Sequence, residues 1–178
     1  ADPSVVNLTA FETFYEENKI NFIGNTQIKK ADFINKKISD SNKDFYYDKL
    51  LIATGSFNRH LIISGKKILP SNNIIYLRNF EESYYLKNRI EKAKHISIIG
   101  GGFIGLEIAS SASQKGKKIT ILEKGSQLMG RVVPLEIAKL IQKKHEDVGT
   151  KIHLNVNIDN IKINKDLIHI YHSNNQEL

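Results

Sequence analysis

The chain has 178 residues, 40% of them hydrophobic, with 26 Lys and Arg against 19 Asp and Glu, a formal net charge of +7 and no cysteine. This suits one ordinary domain or two small ones with a packed core. The lack of cysteine excludes disulfides, thiolate catalysis and cysteine metal sites from these residues, and it fits a reducing compartment, so a cytoplasmic location is expected. The longest apolar stretch, Ile96 to Ala109, falls short of the roughly 20 residues a membrane span needs, and Glu107 interrupts it. The cationic residues come as dispersed pairs, such as Lys36-Lys37 and Lys143-Lys144, which reads as a solvated basic surface rather than a nucleic-acid groove.

In chain order, a short helix is predicted around Ala10 to Asn18, then a strand over Ile20 to Ile23 and a turn at Gly24-Asn25. Mixed polar and apolar residues from Gln27 to Ile38, followed by the loop Asp40 to Asp44, predict an antiparallel meander. Tyr46 to Ala53 reads as a further strand whose continuous Leu50-Leu51-Ile52 is expected to be buried on both faces. Thr54-Gly55-Ser56 breaks it, and a loop-rich crossing runs to about Asn73.

From there the pattern is α/β. Asn79 followed by Glu82 forms a capping box ahead of a helix with Leu86, Ile90 and Ala93. His95 to Ile99 is a short β-branched run suited to a buried parallel strand. Phe103, Leu106, Ile108, Ala109 and Ala112 take the buried side of the next helix, with Gly116 at its end. Lys118 to Leu122 is a second parallel strand. Pro134 suits the first turn of another helix, in which Ile137, Leu140, Ile141 and Val148 form one apolar stripe and His145 lies on the polar side; Gly149 ends it. Ile152 to Ile158 alternate as a strand, and Ile161 to Ile163 with Leu167 to Tyr171 form a hairpin around Asn164-Lys165-Asp166. A doubly wound α/β half usually adds another parallel strand after such a meander, so the sheet reads as unfinished at Leu178.

The chemistry-bearing stretch is Ile98-Ile-Gly-Gly-Gly-Phe-Ile-Gly105. Gly100, Gly102 and Gly105 give the G-x-G-x-x-G spacing where a strand hands over to a helix. The first glycine serves the sharp turn, the second the approach of a pyrophosphate, and the third close helix packing. Glu123 stands at the end of the following strand, about 20 residues on, where a carboxylate accepts hydrogen bonds from an adenosine ribose. It would repel a 2′-phosphate, so NAD is favoured over NADP; the neighbouring Lys124 partly offsets that repulsion. Glu107 is a carboxylate on an otherwise apolar helix beside the turn. Two readings stay open for it, a carboxylate that demands a partner and a helix-terminal acid stabilised by the dipole. His169 and His172, three apart on one strand, make a poor metal pair.

Two stretches together, Tyr47-Asp-Lys-Leu-Leu-Ile-Ala-Thr-Gly55 and Gly100 to Ala109 with Glu123, resemble the FAD-dependent pyridine nucleotide-disulfide oxidoreductase superfamily, most closely its ferredoxin and rubredoxin reductase branch. Tyr76-Leu-Arg78, Arg131-Val-Val133 and His145-Glu-Asp-Val-Gly149 are similar to that branch as well. The pattern departs at Asn58, ahead of Arg59, and at Ser64. The resemblance implies a Rossmann-like α/β fold, a parallel sheet with flanking helices and a β-meander. It implies a partial FAD-domain segment over 1–66 and an NADH-binding domain over 67–178, truncated at its last strand. It further implies that Thr54, Gly55 and Arg59 approach FAD, that Gly100, Gly101, Gly102, Phe103, Ile104 and Gly105 hold the NAD(H) pyrophosphate, and that Glu107 lies near the nicotinamide. The implied reaction passes hydride from NADH to FAD and electrons on to a ferredoxin- or rubredoxin-like acceptor. The family's other flavin-binding segments are expected outside these residues, so the segment alone is expected to bind flavin poorly. An NADH oxidase, a nitrite reductase subunit or a flavoprotein like apoptosis-inducing factor would share the motifs. A non-catalytic NADH-sensing or nucleic-acid-binding module is the reading from a different class.

Overall fold

The computed structural model describes residues 12–164, 167–172 and 176–177. The chain divides into two units, Ala1–Ser56 and Phe57–Leu178.

In the first unit, helix α1 (Glu12–Glu17) precedes strands β1 (Lys30–Asp32), β2 (Lys37–Ser39) and β3 (Asp44–Tyr46). The strands form an antiparallel sheet in the order β1-β2-β3, which is the expected meander. Asp44 ties it together, accepting from the Ser39 hydroxyl at 2.6 Å and pairing with Lys37 at 3.0 Å. These bonds hold the Asp44 carboxyl below the usual carboxylate range, the Ser39 bond contributing most.

Two strand expectations are corrected here. Residues 20–23 form no strand, and Phe22 instead rests its ring 5.3 Å from Tyr15. Tyr46 closes β3, and no strand follows it to Ala53: Leu51 is 88% and Ile52 63% exposed. The physical reason is the same in both places. A strand is stabilised by a ladder to a neighbour, and no described strand pairs with either run.

The second unit opens with a small hairpin of β4 (Ile62–Ile63) and β5 (Lys66–Lys67) within the stretch read as loop. Its turn is Ser64-Gly65, both residues at positive φ, and the Tyr76 hydroxyl fastens its base by accepting from Leu61 N–H and donating to the Ile68 carbonyl. Helix α2 (Phe80–Lys92) starts as its sequence predicts. The Asn79 side chain accepts from Glu82 N–H at 2.8 Å while the Glu82 carboxylate accepts from Asn79 N–H at 3.3 Å.

Strands β6 (His95–Ile99), β7 (Lys118–Leu122) and β8 (Lys151–His153) form a parallel sheet in that order, joined by helices α3 (Phe103–Ser113) and α4 (Leu135–Asp147). The central strand β7 is covered on both faces, with Ile119, Thr120, Ile121 and Leu122 no more than 2% exposed. On the helix side, Ile119 and Ile121 pack with Ile98, Leu106, Ala109, Ala112 and Leu128. On the other side, Leu122 packs with Val156 and Ile170. Those last two belong to the segment containing β9 (Ile158–Asn164), β10 (Leu167–His172) and β11 (Gln176–Glu177), an antiparallel sheet in the order β11-β10-β9. The predicted hairpin is therefore present; Lys165 and Asp166 at its turn lie outside the described residues.

The faces of the helices also differ from expectation. Phe103 on α3 is 58% exposed. On α4, Ile137, Leu140 and Val148 face outward, and the inner side is Ala138, Ile141 and the half-buried His145. Ala138 is the one buried residue of this helix, and Ile141 packs against the core of the sheet. Among the described residues no helix is long and apolar enough to cross a membrane.

Candidate nucleotide site

The carboxyl ends of β6, β7 and β8 carry the candidate site, at the edge of an open parallel sheet where such folds bind ligands. Gly100 follows β6 with φ +106, a conformation that favours glycine, and its N–H donates to the Leu122 carbonyl at 2.9 Å. Gly105, one turn into α3, backs directly onto this corner. A Cβ there would stand 2.2 Å from the Gly100 carbonyl oxygen, so only glycine lets α3 pack against the strand end.

Gly102 is different. It is exposed and extended, with φ −86, and a Cβ on it would meet nothing within 4 Å. The protein itself makes no steric demand for glycine at this position. Gly102 is also the N-cap of α3 without a side-chain cap. The first bond within the helix runs from Leu106 N–H to the Gly102 carbonyl, so the Phe103, Ile104 and Gly105 amides stand at an uncapped helix end. Phe103 and Ile104 are 58% and 50% exposed around it.

Glu123 completes the corner. Its carboxylate accepts from Gly101 N–H through Oε2 and from Gly125 N–H through Oε1, both at 2.6 Å. Gly101 lies behind the turn rather than on its open side. It is buried, its N–H is given to Glu123, its carbonyl accepts from Met129 N–H at 2.9 Å, and a Cβ on it would stand 2.4 Å from Leu128 Cδ2. The loop after β7 thus supports the glycine turn from below, with Leu128 fully buried and Met129 9% exposed. Sequence reasoning missed this support; its trace is the apolar pair Leu128-Met129 in the loop between β7 and α4.

Glu107 is exposed, on the lining of an open groove of about 310 Å³ together with Phe103 and His145. Its exposure removes the desolvation argument for a partner. His145, expected on the polar side, is half-buried, and burial pushes its imidazole below the ordinary histidine value. Thr54 and Gly55 are exposed residues of the first unit, and Arg59 is exposed near the start of the second. His172 is buried with its ring 5.9 Å from that of His153, and among the described residues no group of three or more His, Cys, Asp or Glu could hold a metal ion.

A family model for pyridine nucleotide-disulphide oxidoreductases matches residues 4–178. The chain belongs to that family. Among curated proteins of known name, it is similar to the rubredoxin-NAD(+) reductase of Pseudomonas putida, 34% identical over 152 residues, which are 85% of this chain and 39% of the relative. It is also similar to monodehydroascorbate reductase 3 of Arabidopsis thaliana, 37% identical over 147 residues, 80% of this chain and 33% of the relative. Among solved structures, the ferredoxin reductase for the CYP199A2 system of Rhodopseudomonas palustris superposes with a TM-score of 0.85 at 30% identity, covering 99% of this chain and 43% of that one. The chain thus spans well under half the length of these family relatives. The α/β fold expected from the sequence is the fold observed.

Proposed function

We propose that the chain is the NADH-binding part of a flavoprotein oxidoreductase that transfers electrons from NADH through FAD to a ferredoxin- or rubredoxin-like acceptor. The observation that carries this reading is the Glu123 carboxylate fixed beside the glycine turn by the Gly101 and Gly125 amides, within a chain of this family. In this reading residues 67–178 form the nucleotide-binding domain and 1–66 a segment of the FAD domain.

The residues present fit a dinucleotide. The pyrophosphate is held at the uncapped end of α3 by the Phe103, Ile104 and Gly105 amides, and Gly102 lets it come close. Gly100 sets the turn. Glu123 has two of its roughly four lone-pair sites engaged by backbone, which leaves two to accept the adenosine ribose hydroxyls. Glu107, exposed on the first turns of α3, faces the ligand's nicotinamide end and orients it. Thr54, Gly55 and Arg59 contribute to the FAD site. Nicotinamide and flavin supply the redox chemistry when bound, and this chain's residues bind and orient. A cytoplasmic location belongs to the same proposal.

The test is turnover of the full-length, FAD-loaded protein with NADH against a panel of ferredoxins and rubredoxins. Rapid reduction of one of them is the expected result. NADH binding with no electron transfer to any acceptor would favour a sensor, and salt-sensitive retention of DNA would favour a nucleic-acid-binding module.

A further inference from the structure

We propose that the backbone N–H of Gly125 is a specificity-determining positioning group, which with Gly101 N–H locks the Glu123 carboxylate so that the site rejects a ribose 2′-phosphate instead of adapting to it. This rests on the NADH reading above and deepens it.

Charge alone discriminates poorly at this position. Glu123 is followed by the exposed cation Lys124, so the pair sums to zero and a phosphate arriving there meets attraction as well as repulsion. An unrestrained glutamate could also rotate away, at the cost of no more than a rotamer preference. The second escape closes if the carboxylate cannot move, and a charge held at a fixed point cannot yield its place to the phosphate.

The geometry fixes it from two sides. One oxygen is held by an amide of the glycine turn and the other by an amide of the loop after β7, each at 2.6 Å. Bonds of this kind to an ionised acceptor are among the strong ones, and rotation would break both at once. The donors cannot follow the side chain either. Gly101 is buried, with its carbonyl bonded to Met129 N–H, and the Gly125 carbonyl accepts from Asn155 N–H at 2.9 Å. The Glu123 main chain is tied in turn, its N–H to the His153 carbonyl at 2.8 Å and its carbonyl to Val156 N–H at 2.9 Å. A Cβ on Gly125 would stand 3.1 Å from Glu123 Oε1, a contact relieved by a shift of a few tenths of an ångström. The clamp therefore places a full negative charge at one point, close to where a 2′-substituent would lie.

The test compares dissociation constants of NADH and NADPH for the protein and three variants, with thermal melting as the check on folding. Gly125→Pro removes the N–H, Glu123→Asp keeps the charge but shortens its reach, and Gly125→Ala keeps the N–H. The preference for NADH is expected to fall about tenfold or more in Gly125→Pro and Glu123→Asp, and to stay within about twofold in Gly125→Ala. A preference unchanged in Glu123→Asp, or in a folded Gly125→Pro, overturns the proposal; if Gly125→Pro does not fold, Glu123→Asp alone decides. A parent protein that binds neither nucleotide would instead sink the NADH reading itself.

Discussion

Two short runs rich in Ile and Leu meet opposite fates in this chain. Residues 119–122 are the buried centre of a parallel sheet, whereas the wholly apolar Leu50-Leu51-Ile52 lies in an unpaired segment with Leu51 88% exposed. Strand propensity does not separate them. What does is the presence of neighbours: β7 has β6 on one side, β8 on the other and packed residues on both faces, while no described strand pairs with 47–56. An apolar run states that a segment can be buried; the partner that buries it is specified elsewhere in the chain.

Three substitutions sharpen that comparison. The largest effect is expected for Gly105→Val, which drives a side chain into the Gly100 carbonyl and separates α3 from the sheet; a loss of about 3 kcal/mol in chemical denaturation is predicted. Asn79→Ala removes one half of the α2 capping box and should cost about 1 kcal/mol by the same assay. Leu51→Asp should change the stability of the 178-residue chain by less than about 0.5 kcal/mol, because the side chain touches little. A large loss from the last substitution would mean that 50–52 is paired in solution, and would erase the contrast with β7.

The elements legible in the sequence are those whose determinants are local. Asn79 and Glu82 sit three apart and cap their helix with each other; Gly100, Gly105 and Glu123 belong to one βαβ unit in which each residue's neighbour is set by that unit's geometry. What was not legible depends on distant partners or on shape. Ile137 and Leu140 face outward and the small Ala138 is buried instead, a choice that periodicity alone cannot make. The Ser64-Gly65 hairpin was hidden because its strands are two residues each. At the site, the Glu123 position was readable but its clamp was not, because Gly101 reads as part of the pyrophosphate turn and Gly125 as an ordinary loop glycine until the fold brings both to the two carboxylate oxygens.

The most direct test of the nucleotide site is a titration of NADH and of NADPH into isotope-labelled protein, read by backbone amide shifts. NADH should move Gly102, Phe103, Ile104, Gly105 and the residues around Glu123 saturably, and NADPH at the same concentration should move them far less. Shifts that bypass residues 102–105, or equal responses to the two nucleotides, would contradict the account.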